Sequence, residues 1–307
     1  ICWDLAVVEL AKDLGFEIHL STQASVSNYM SANFYKTLGV TRIVLARECN
    51  LEHITDIINN TDVEIETFIH GARCISVSGR CFMSQELFNK SANRGECIQP
   101  CRRQYHVKDI ETGDEMVMDN NFVMSPKDLC TLPFVDKLIS SGIKVFKIEG
   151  RNRSPEYVKT VTNCYRKAID AVYNKTFNQN LIDLLIEKLK TVYNRDFSSG
   201  FYLGVPTSDD TTDNYGSNAT INKIYVGFIK NYFKQVGVAE IKLESSGISV
   251  GDNIMIQGPT TGVYEEKVNS IEINHKSVKI GKKGTSIAIK LTSIVRPNDK
   301  VFVIKKK

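Results

Sequence analysis

The sequence predicts a mixed α/β fold: the C-terminal half of a (β/α)8 barrel carrying a cysteine-rich insertion, followed by a small all-β barrel domain. Three observations predict it. Strand-like and helix-like patterns alternate with short connections between residues 16 and 173. The strand-like runs end in polar or charged residues. Beyond residue 220 the apolar period becomes two, broken by Gly-Asp, Gly-Pro and Pro-Asn turns.

The chain opens Ile1-Cys2-Trp3-Asp4 and enters a helical spacing of Leu5, Val8, Leu10 and Leu14, closed by Gly15. This reads as the interior of a domain, so a fragment of a longer protein is expected. Phe16–Gln23 is a strand, Ser25–Leu38 a helix stopped by Gly39, Thr41–Arg47 a strand and Leu51–Ile58 a helix. Val63–Ile69 is a strand ending at His70 and Gly71. After the cysteine region come the helix Pro133–Ser141, the strand Ile143–Ile148 and the long helix Pro155–Tyr173, with Pro in its first turn. Leu181–Tyr193 is a further helix, and residues 194–204 form an ordered aromatic and glycine-rich loop.

A doubly wound sheet fits the alternation too. The strand ends favour the barrel, because barrel strands converge on one site at their C-terminal ends. Those ends carry Gln23, Arg47 with Glu48, Glu66 with His70, and Lys147, Glu149 with Arg151. The expected domains are a partial barrel over 1–205 with its insertion at 71–132, a polar linker at 206–219, and a β domain over 220–307.

With 42% hydrophobic and 24% charged residues in 307, the composition is that of a soluble globular chain. No apolar run reaches the roughly 18 residues of a membrane span, and no basic-then-apolar leader is written. Cytoplasmic residence is the expectation. Residues 221–307 hold 15 Lys or Arg against 7 Asp or Glu, +8, which leaves the preceding residues at −4. A basic tail domain points weakly to a polyanion; from charge alone, a solvated Lys-rich surface is the favoured reading.

Five of the eight cysteines, Cys74, Cys81, Cys97, Cys101 and Cys130, fall within 57 residues of polar, Gly- and Arg-rich sequence. Four thiolates suit a 4Fe–4S cluster or an all-cysteine zinc site, with a fifth to spare. The spacing matches neither zinc fingers nor ferredoxins, so a redox thiol pair and buried free cysteines stay open. Arg73, Arg80, Arg94, Arg102 and Arg103 would offset thiolate charge.

His70, paired with Glu66, reads as a general base or a metal ligand, or else as a hydrogen-bonded structural histidine. Glu149, Arg151 and Lys147 suit a carboxylate-bearing small molecule, or a salt-bridged layer inside the barrel. No His-Glu-x-x-His, Gly-x-Ser-x-Gly or Walker loop is present.

Phe68-Ile-His-Gly-Ala-Arg-Cys74, Ser78-Gly-Arg-Cys81, Asn93-Arg-Gly-Glu-Cys97-Ile-Gln-Pro-Cys101-Arg-Arg, Ser125-Pro-Lys-Asp-Leu-Cys130 and Phe146-Lys-Ile-Glu-Gly-Arg151 closely resemble the collagenase-like peptidase family, the thirty-second of unknown catalytic type. Ser21-Thr-Gln-Ala-Ser25 and Val44-Leu-Ala-Arg-Glu48 resemble its barrel strands, and Asn231-Tyr-Phe233 and Gly258-Pro-Thr-Thr-Gly262 its C-terminal domain. The resemblance implies a TIM-like barrel lacking its first strands here, and a last domain similar to the second domain of elongation factor Tu. It implies two activities: collagen-degrading proteolysis without an agreed nucleophile, and hydroxylation of tRNA or other RNA, in some members with prephenate as co-substrate. Related members carry a 4Fe–4S cluster, and motif matching implies Cys74, Cys81, Cys97 and Cys130 as its ligands, with Cys101 competing with Cys97. His70, Glu66 and Glu149 are the catalytic candidates, and Gln23, Arg47, Glu48, Lys147 and Arg151 the substrate-binding ones. A cluster-dependent RNA-modifying enzyme is the leading expectation, a peptidase the alternative and a non-catalytic RNA-binding protein the third.

Overall fold

The computed structural model describes residues 1–116, 122, 124–214 and 216–307. Residues 117–121 and 123 of the expected insertion, and Tyr215 of the expected linker, lie outside the described residues. The chain divides into two compact units: residues 1–151 with 161–218, and residues 152–160 with 219–307.

The first unit runs α1 (Leu5–Asp13), β1 (Ile18–Leu20), α2 (Tyr29–Thr37), β2 (Val40–Val44), α3 (Leu51–Asn59) and β3 (Glu64–Gly71). The insertion holds α4 (Met83–Phe88) and a hairpin of β4 (Val107–Lys108) and β5 (Glu115–Met116). Then follow β6 (Asp128–Cys130), α5 (Val135–Ser140), β7 (Val145–Ile148), α6 (Pro155–Tyr173), α7 (Gln179–Leu189) and β8 (Phe197–Ser198). The side chains of Asp4, Asn28, Asn50 and Asn178 accept backbone N–H groups at the starts of α1, α2, α3 and α7. Each such cap contributes about 1 kcal/mol.

Strands β1, β2, β3 and β7 pair in parallel and in chain order. A doubly wound sheet reverses its order at a switch point; these four strands do not. Two short strands, β6 and β8, extend the sheet where no pattern predicted them. The end of β3 pairs antiparallel with β6, His70 opposite Cys130, and β6 runs parallel to β8. Segments of two or three residues are too short to display a period.

Leu20, Ile43, Leu45, Ile54, Ile57 and Ile69 are fully buried around this sheet, each contributing about 1.5–3 kcal/mol. Residues 65–71 of β3 are buried without a break, as in a parallel strand covered on both faces. Helix α1 departs from expectation. Val8 is buried, but Leu5, Leu10 and Leu14 are 55%, 59% and 63% exposed. Its apolar spacing is real, but β1 offers only a three-residue strand to pack against.

The expected linker is also tied down. Lys127 N–H donates to Asp210 O at 2.7 Å, Thr212 N–H to Ser125 O at 2.9 Å and Asn218 N–H to Asn194 O at 2.8 Å. Polar composition marked this stretch as irregular, which it is. It could not show that its backbone groups find partners in the first unit.

The second unit is built from β9 (Ile221–Phe233), β10 (Val238–Leu243), β11 (Ile248–Ser249), β12 (Asn253–Gly258), β13 (Gly262–Lys267), β14 (Ile271–Ile273), β15 (Lys276–Val278), β16 (Ile280–Gly281), β17 (Ser286–Lys290) and β18 (Lys300–Lys306). Eight of them form one antiparallel sheet in the order β13-β12-β18-β9-β10-β17-β14-β15, and β11 pairs with β16. Alternate residues of β9, β10, β12, β17 and β18 supply its core, among them Ile229, Ile241, Ile254, Ile287 and Val301. The strand predicted over 262–271 is two strands, divided where Gly251 N–H and Val268 N–H bond across the corner to Val268 O and Asp252 O, both at 2.8 Å. Gly227 permits the closest strand approach, since a Cβ there would lie 1.8 Å from Lys242 O. Glu156 accepts from Lys223 Nζ at 2.7 Å and from Gln257 Nε2 at 2.6 Å.

Candidate functional site

The residues after each parallel strand of the first unit gather at one end of the sheet. β1 leads into a 3-10 turn, Thr22–Ala24. β2 leads into Arg47 and Glu48, and β7 into Glu149-Gly150-Arg151. They surround an open cleft of about 480 Å³ lined by Gln23, Arg47, Phe68, Lys147, Glu149 and Arg151. Five of the eight strand-end residues singled out from the sequence thus meet in one place. Glu48, Glu66 and His70 do not line it.

Phe68 forms an aromatic wall. The Arg47 guanidinium lies 4.3 Å from its ring centroid and Lys147 Nζ 5.6 Å from it, within cation–π range. Arg47 Nε is buried and has no hydrogen-bond partner among the described residues. Arg47, Lys147 and Arg151 with the Phe68 and Trp3 rings, against Glu149 in the lining and Glu66 behind Lys147, suit a small anionic molecule with a flat unsaturated part.

Glu66 serves a different purpose. Its Oε1 accepts from Lys147 Nζ at 2.8 Å, and its Oε2 lies 3.8 Å from Arg42 Nη1. It is an ion-paired anchor for Lys147, not a partner of His70. His70 is 2% exposed, with Nδ1 3.3 Å from the Tyr165 hydroxyl. That hydroxyl donates to Ile69 O at 2.8 Å and accepts from Thr131 N–H at 3.0 Å. The imidazole also meets Tyr165 and Phe197 at centroid distances of 5.5 and 5.6 Å. This is the surrounding of the structural histidine that the sequence left as an alternative.

The insertion closes over the strand ends through three side-chain contacts. Gln23 Nε2 donates to Asn93 Oδ1 at 3.3 Å, Arg80 Nη2 to Ser25 Oγ at 2.9 Å, and Ser78 N–H to Glu48 Oε1 at 2.7 Å. A fourth contact is steric. Gly95 has φ +84, and a Cβ there would sit 2.9 Å from Arg151 Nη1, so the absent side chain makes room for that guanidinium.

Three of the five cysteines share a local turn, and Cys101 and Cys130 differ from them and from each other. Cys74 Sγ accepts from Ser76 N–H at 3.5 Å, Cys81 Sγ from Met83 N–H at 3.4 Å and Cys97 Sγ from Gln99 N–H at 3.4 Å. The same local turn thus presents three sulfurs, each accepting one backbone N–H from two residues further on. Cys101 lies within electrostatic reach of Cys74 and Cys97; burial raises its thiol pKa, and Arg102 and Arg195 oppose the rise. Cys130 lies elsewhere: 3% exposed, 3.7 Å from the Tyr165 hydroxyl and beside Cys164, its thiol pushed up to about 12 by burial. No group of three or more His, Cys, Asp or Glu among the described residues is arranged to hold a metal ion as the side chains stand. The donor chemistry of Cys74, Cys81, Cys97 and Cys101 fits an iron–sulfur cluster, which spaces its thiolates more widely than a single zinc ion does.

Sequence reasoning passed over Tyr165, Asn93, Ser78 and Arg195. Arg195 alone left a signal, as a cation in the ordered loop after α7. Ser78 and Asn93 open two of the cysteine motifs without a role of their own there, and Tyr165 is an unmarked residue of a long helix until the fold brings it to its partners.

Residues 1–212 match the model of peptidase family U32. The chain belongs to this family. It is 45% identical over 313 residues to a collagenase of Porphyromonas gingivalis, covering 98% of this chain and 75% of that one. It is 35% identical to the tRNA hydroxylation protein P1 of Bacillus subtilis, covering 83% of this chain and 61% of that protein. It is 32% identical to the 23S rRNA 5-hydroxycytidine C2501 synthase of Escherichia coli, covering 77% of this chain and 41% of that enzyme. Two kinds of named activity therefore occur among U32 relatives of this chain. No helix among its described residues is long and apolar enough to cross a membrane.

Proposed function

We propose that this U32 protein is an RNA-hydroxylating enzyme that uses a 4Fe–4S cluster held by Cys74, Cys81, Cys97 and Cys101. The observation that carries the reading is the shared N–H···S turn at Cys74, Cys81 and Cys97, on an insertion clamped over the cationic cleft. When bound, such a cluster supplies one-electron transfer. Arg47, Lys147 and Arg151 take the carboxylates of a dicarboxylate co-substrate such as prephenate, and Phe68 takes its ring. Glu66 aims Lys147 through their ion pair, and Gln23 and Glu48 hold the insertion in place. The basic second unit binds the RNA phosphates. In this reading the four parallel strands belong to a TIM-like barrel, the second unit corresponds to the second domain of elongation factor Tu, and the protein works in the cytoplasm.

The ligand set differs from the motif-derived one by exchanging Cys130 for Cys101. Cys130 is sequestered beside Tyr165 and Cys164, whereas Cys101 neighbours Cys74 and Cys97. Anaerobic purification with iron and sulfide analysis tests this directly. Wild type and Cys130→Ala are expected to hold about four Fe per chain, and Cys97→Ala and Cys101→Ala to lose it. Wild type without iron would sink the cluster; iron lost from Cys130→Ala and kept in Cys101→Ala would restore the motif-derived set.

The collagenase among the relatives favours a second reading, proteolysis. It requires gelatin cleavage that survives iron removal and disappears on substituting His70 or Glu66. The burial of His70 and the ion pairs of Glu66 argue against it.

A further inference from the structure

Arg102 and Arg195 are 8% and 6% exposed, beneath the cysteine loops. Arg102 Nη1 and Nη2 donate to the carbonyl oxygens of Pro126 and Arg73. Arg195 Nη2 donates to Gln99 Oε1 at 2.8 Å, and its Nη1 lies 3.9 Å from Asp128 Oδ1. Arg102 Nε, Arg195 Nη1 and Arg73 Nη1 are buried with no hydrogen-bond partner among the described residues. Arg73 has Asp210 nearby to oppose its burial. Arg102 and Arg195 repel each other and share one buried carboxylate, Asp128.

Two buried cations facing one buried anion leave a positive excess. Uncompensated buried charge costs several kcal/mol, so the arrangement calls for another anion. The groups in position to supply it are the sulfurs of Cys101 and Cys74, within electrostatic reach of Arg102, with Arg195 also within reach of Cys101; as cluster ligands they would be thiolates. Arg195 comes from the loop after α7, outside the insertion. The fold has therefore brought a second buried guanidinium to the thiols that their own sequence segment does not supply.

We propose that Arg102 and Arg195 are the built-in counter-charge of an anionic thiolate cluster at Cys101 and Cys74, and that they set its reduction potential through space. The inference rests on the cluster reading above. Reduction adds one electron and no atom, making the cluster more negative. A buried cation nearby stabilises that form more than the oxidised one, and a buried carboxylate does the opposite. Loss of either arginine charge therefore lowers the midpoint potential, and loss of the Asp128 charge raises it.

The test uses the full chain, purified anaerobically as wild type, Arg102→Gln, Arg195→Gln, Arg195→Lys and Asp128→Asn. Iron content comes first, then a redox titration followed by electron paramagnetic resonance of the reduced cluster. The expected result is a lower midpoint in both Gln variants, a higher one in Asp128→Asn, and a near-wild-type one in Arg195→Lys, which keeps the charge. Should Arg102→Gln fail to fold, the Arg195 pair and Asp128→Asn carry the test alone. Iron-replete Gln variants with an unmoved midpoint, or a Lys variant that moves as far as its Gln counterpart, overturn the counter-charge role and leave the cluster standing. Wild type devoid of iron overturns both.

Discussion

Glu48 grips Ser78 twice: its Oε1 accepts the Ser78 backbone N–H at 2.7 Å and its Oε2 the hydroxyl at 3.3 Å. Ser78 is buried and holds a left-handed φ of 47, a conformation that costs about 1 kcal/mol for a non-glycine residue. The carboxylate holds the loop in it. In Glu48→Ala, limited trypsin digestion at Arg73, Arg80 and Lys90 is expected to quicken severalfold while the thermal midpoint of the whole chain changes little. Unchanged cleavage would mean the loop is held by other contacts.

Gly95→Ala meets two penalties, a left-handed φ of +84 and a Cβ 2.9 Å from Arg151 Nη1. The expected cost is about 1–2 kcal/mol in urea unfolding. Because Arg151 must move, binding of a dicarboxylate probe to the cleft, followed by calorimetry, is expected to weaken by more than Gly113→Ala weakens it. Gly113 also has positive φ but has nothing within 4 Å of its would-be Cβ.

Tyr165→Phe removes one hydroxyl that serves Ile69 O, Thr131 N–H and His70. Thr131 N–H still donates to Ile69 O at 3.1 Å without the hydroxyl, so the variant loses hydrogen bonds worth about 0.5–1.5 kcal/mol rather than stranding their partners. Urea unfolding of the variant is expected to show a loss toward the upper end of that range. A loss below about 0.5 kcal/mol, the lower bound for a single hydrogen bond, would show that water replaces the hydroxyl.

The metal-free chain offers a test of where Cys130 lies. With its thiol pushed up to about 12, the thiolate at pH 8 is about one part in ten thousand. Brief alkylation followed by peptide mass spectrometry is expected to label Cys81 and Cys97 and to spare Cys130. Early labelling of Cys130 would contradict its burial beside Tyr165.

Glu156 governs an acid limb in the second unit. Burial alone would raise its pKa, but the hydrogen bonds from Lys223, Ser154 and Gln257 hold it below the usual carboxylate range. The unfolded chain then binds more protons than the folded one in that interval, so stability is gained as pH rises through it. The contribution is complete above about pH 4.3, the ordinary glutamate value, and disappears as pH falls through the lowered folded value. Thermal melts from pH 3 to 7 are expected to show Glu156→Gln less stable than wild type near neutrality, with the gap closing below pH 4.

Much of this was legible in the sequence. Pro155 and Tyr173 bound α6 as read, because a first-turn proline and a sustained apolar period are local signals. Gln23, Arg47, Lys147, Glu149 and Arg151 could be grouped because strand ends in such folds converge. The roles of Glu66 and His70 were not legible, since their partners Arg42, Lys147 and Tyr165 arrive from other elements. Nor did the Ser-Pro-Lys-Asp-Leu-Cys motif reveal that Cys130 sits in a strand with its sulfur turned toward α6. Motif spacing records which residues occur together; it does not record which side of a sheet each one faces.

The pairing of His70 with Cys130 has a consequence for how the molecule can vary. The cysteine-bearing excursion leaves the sheet at one point and rejoins it at the neighbouring strand, so its two ends are adjacent. Loop-closure entropy grows only slowly with length. A segment anchored in this way can lengthen, shorten or exchange its interior while the strands beneath keep their register. The excursion is a replaceable cassette, and the clamps at Gln23, Ser25 and Glu48 are the sockets that any replacement would have to fit.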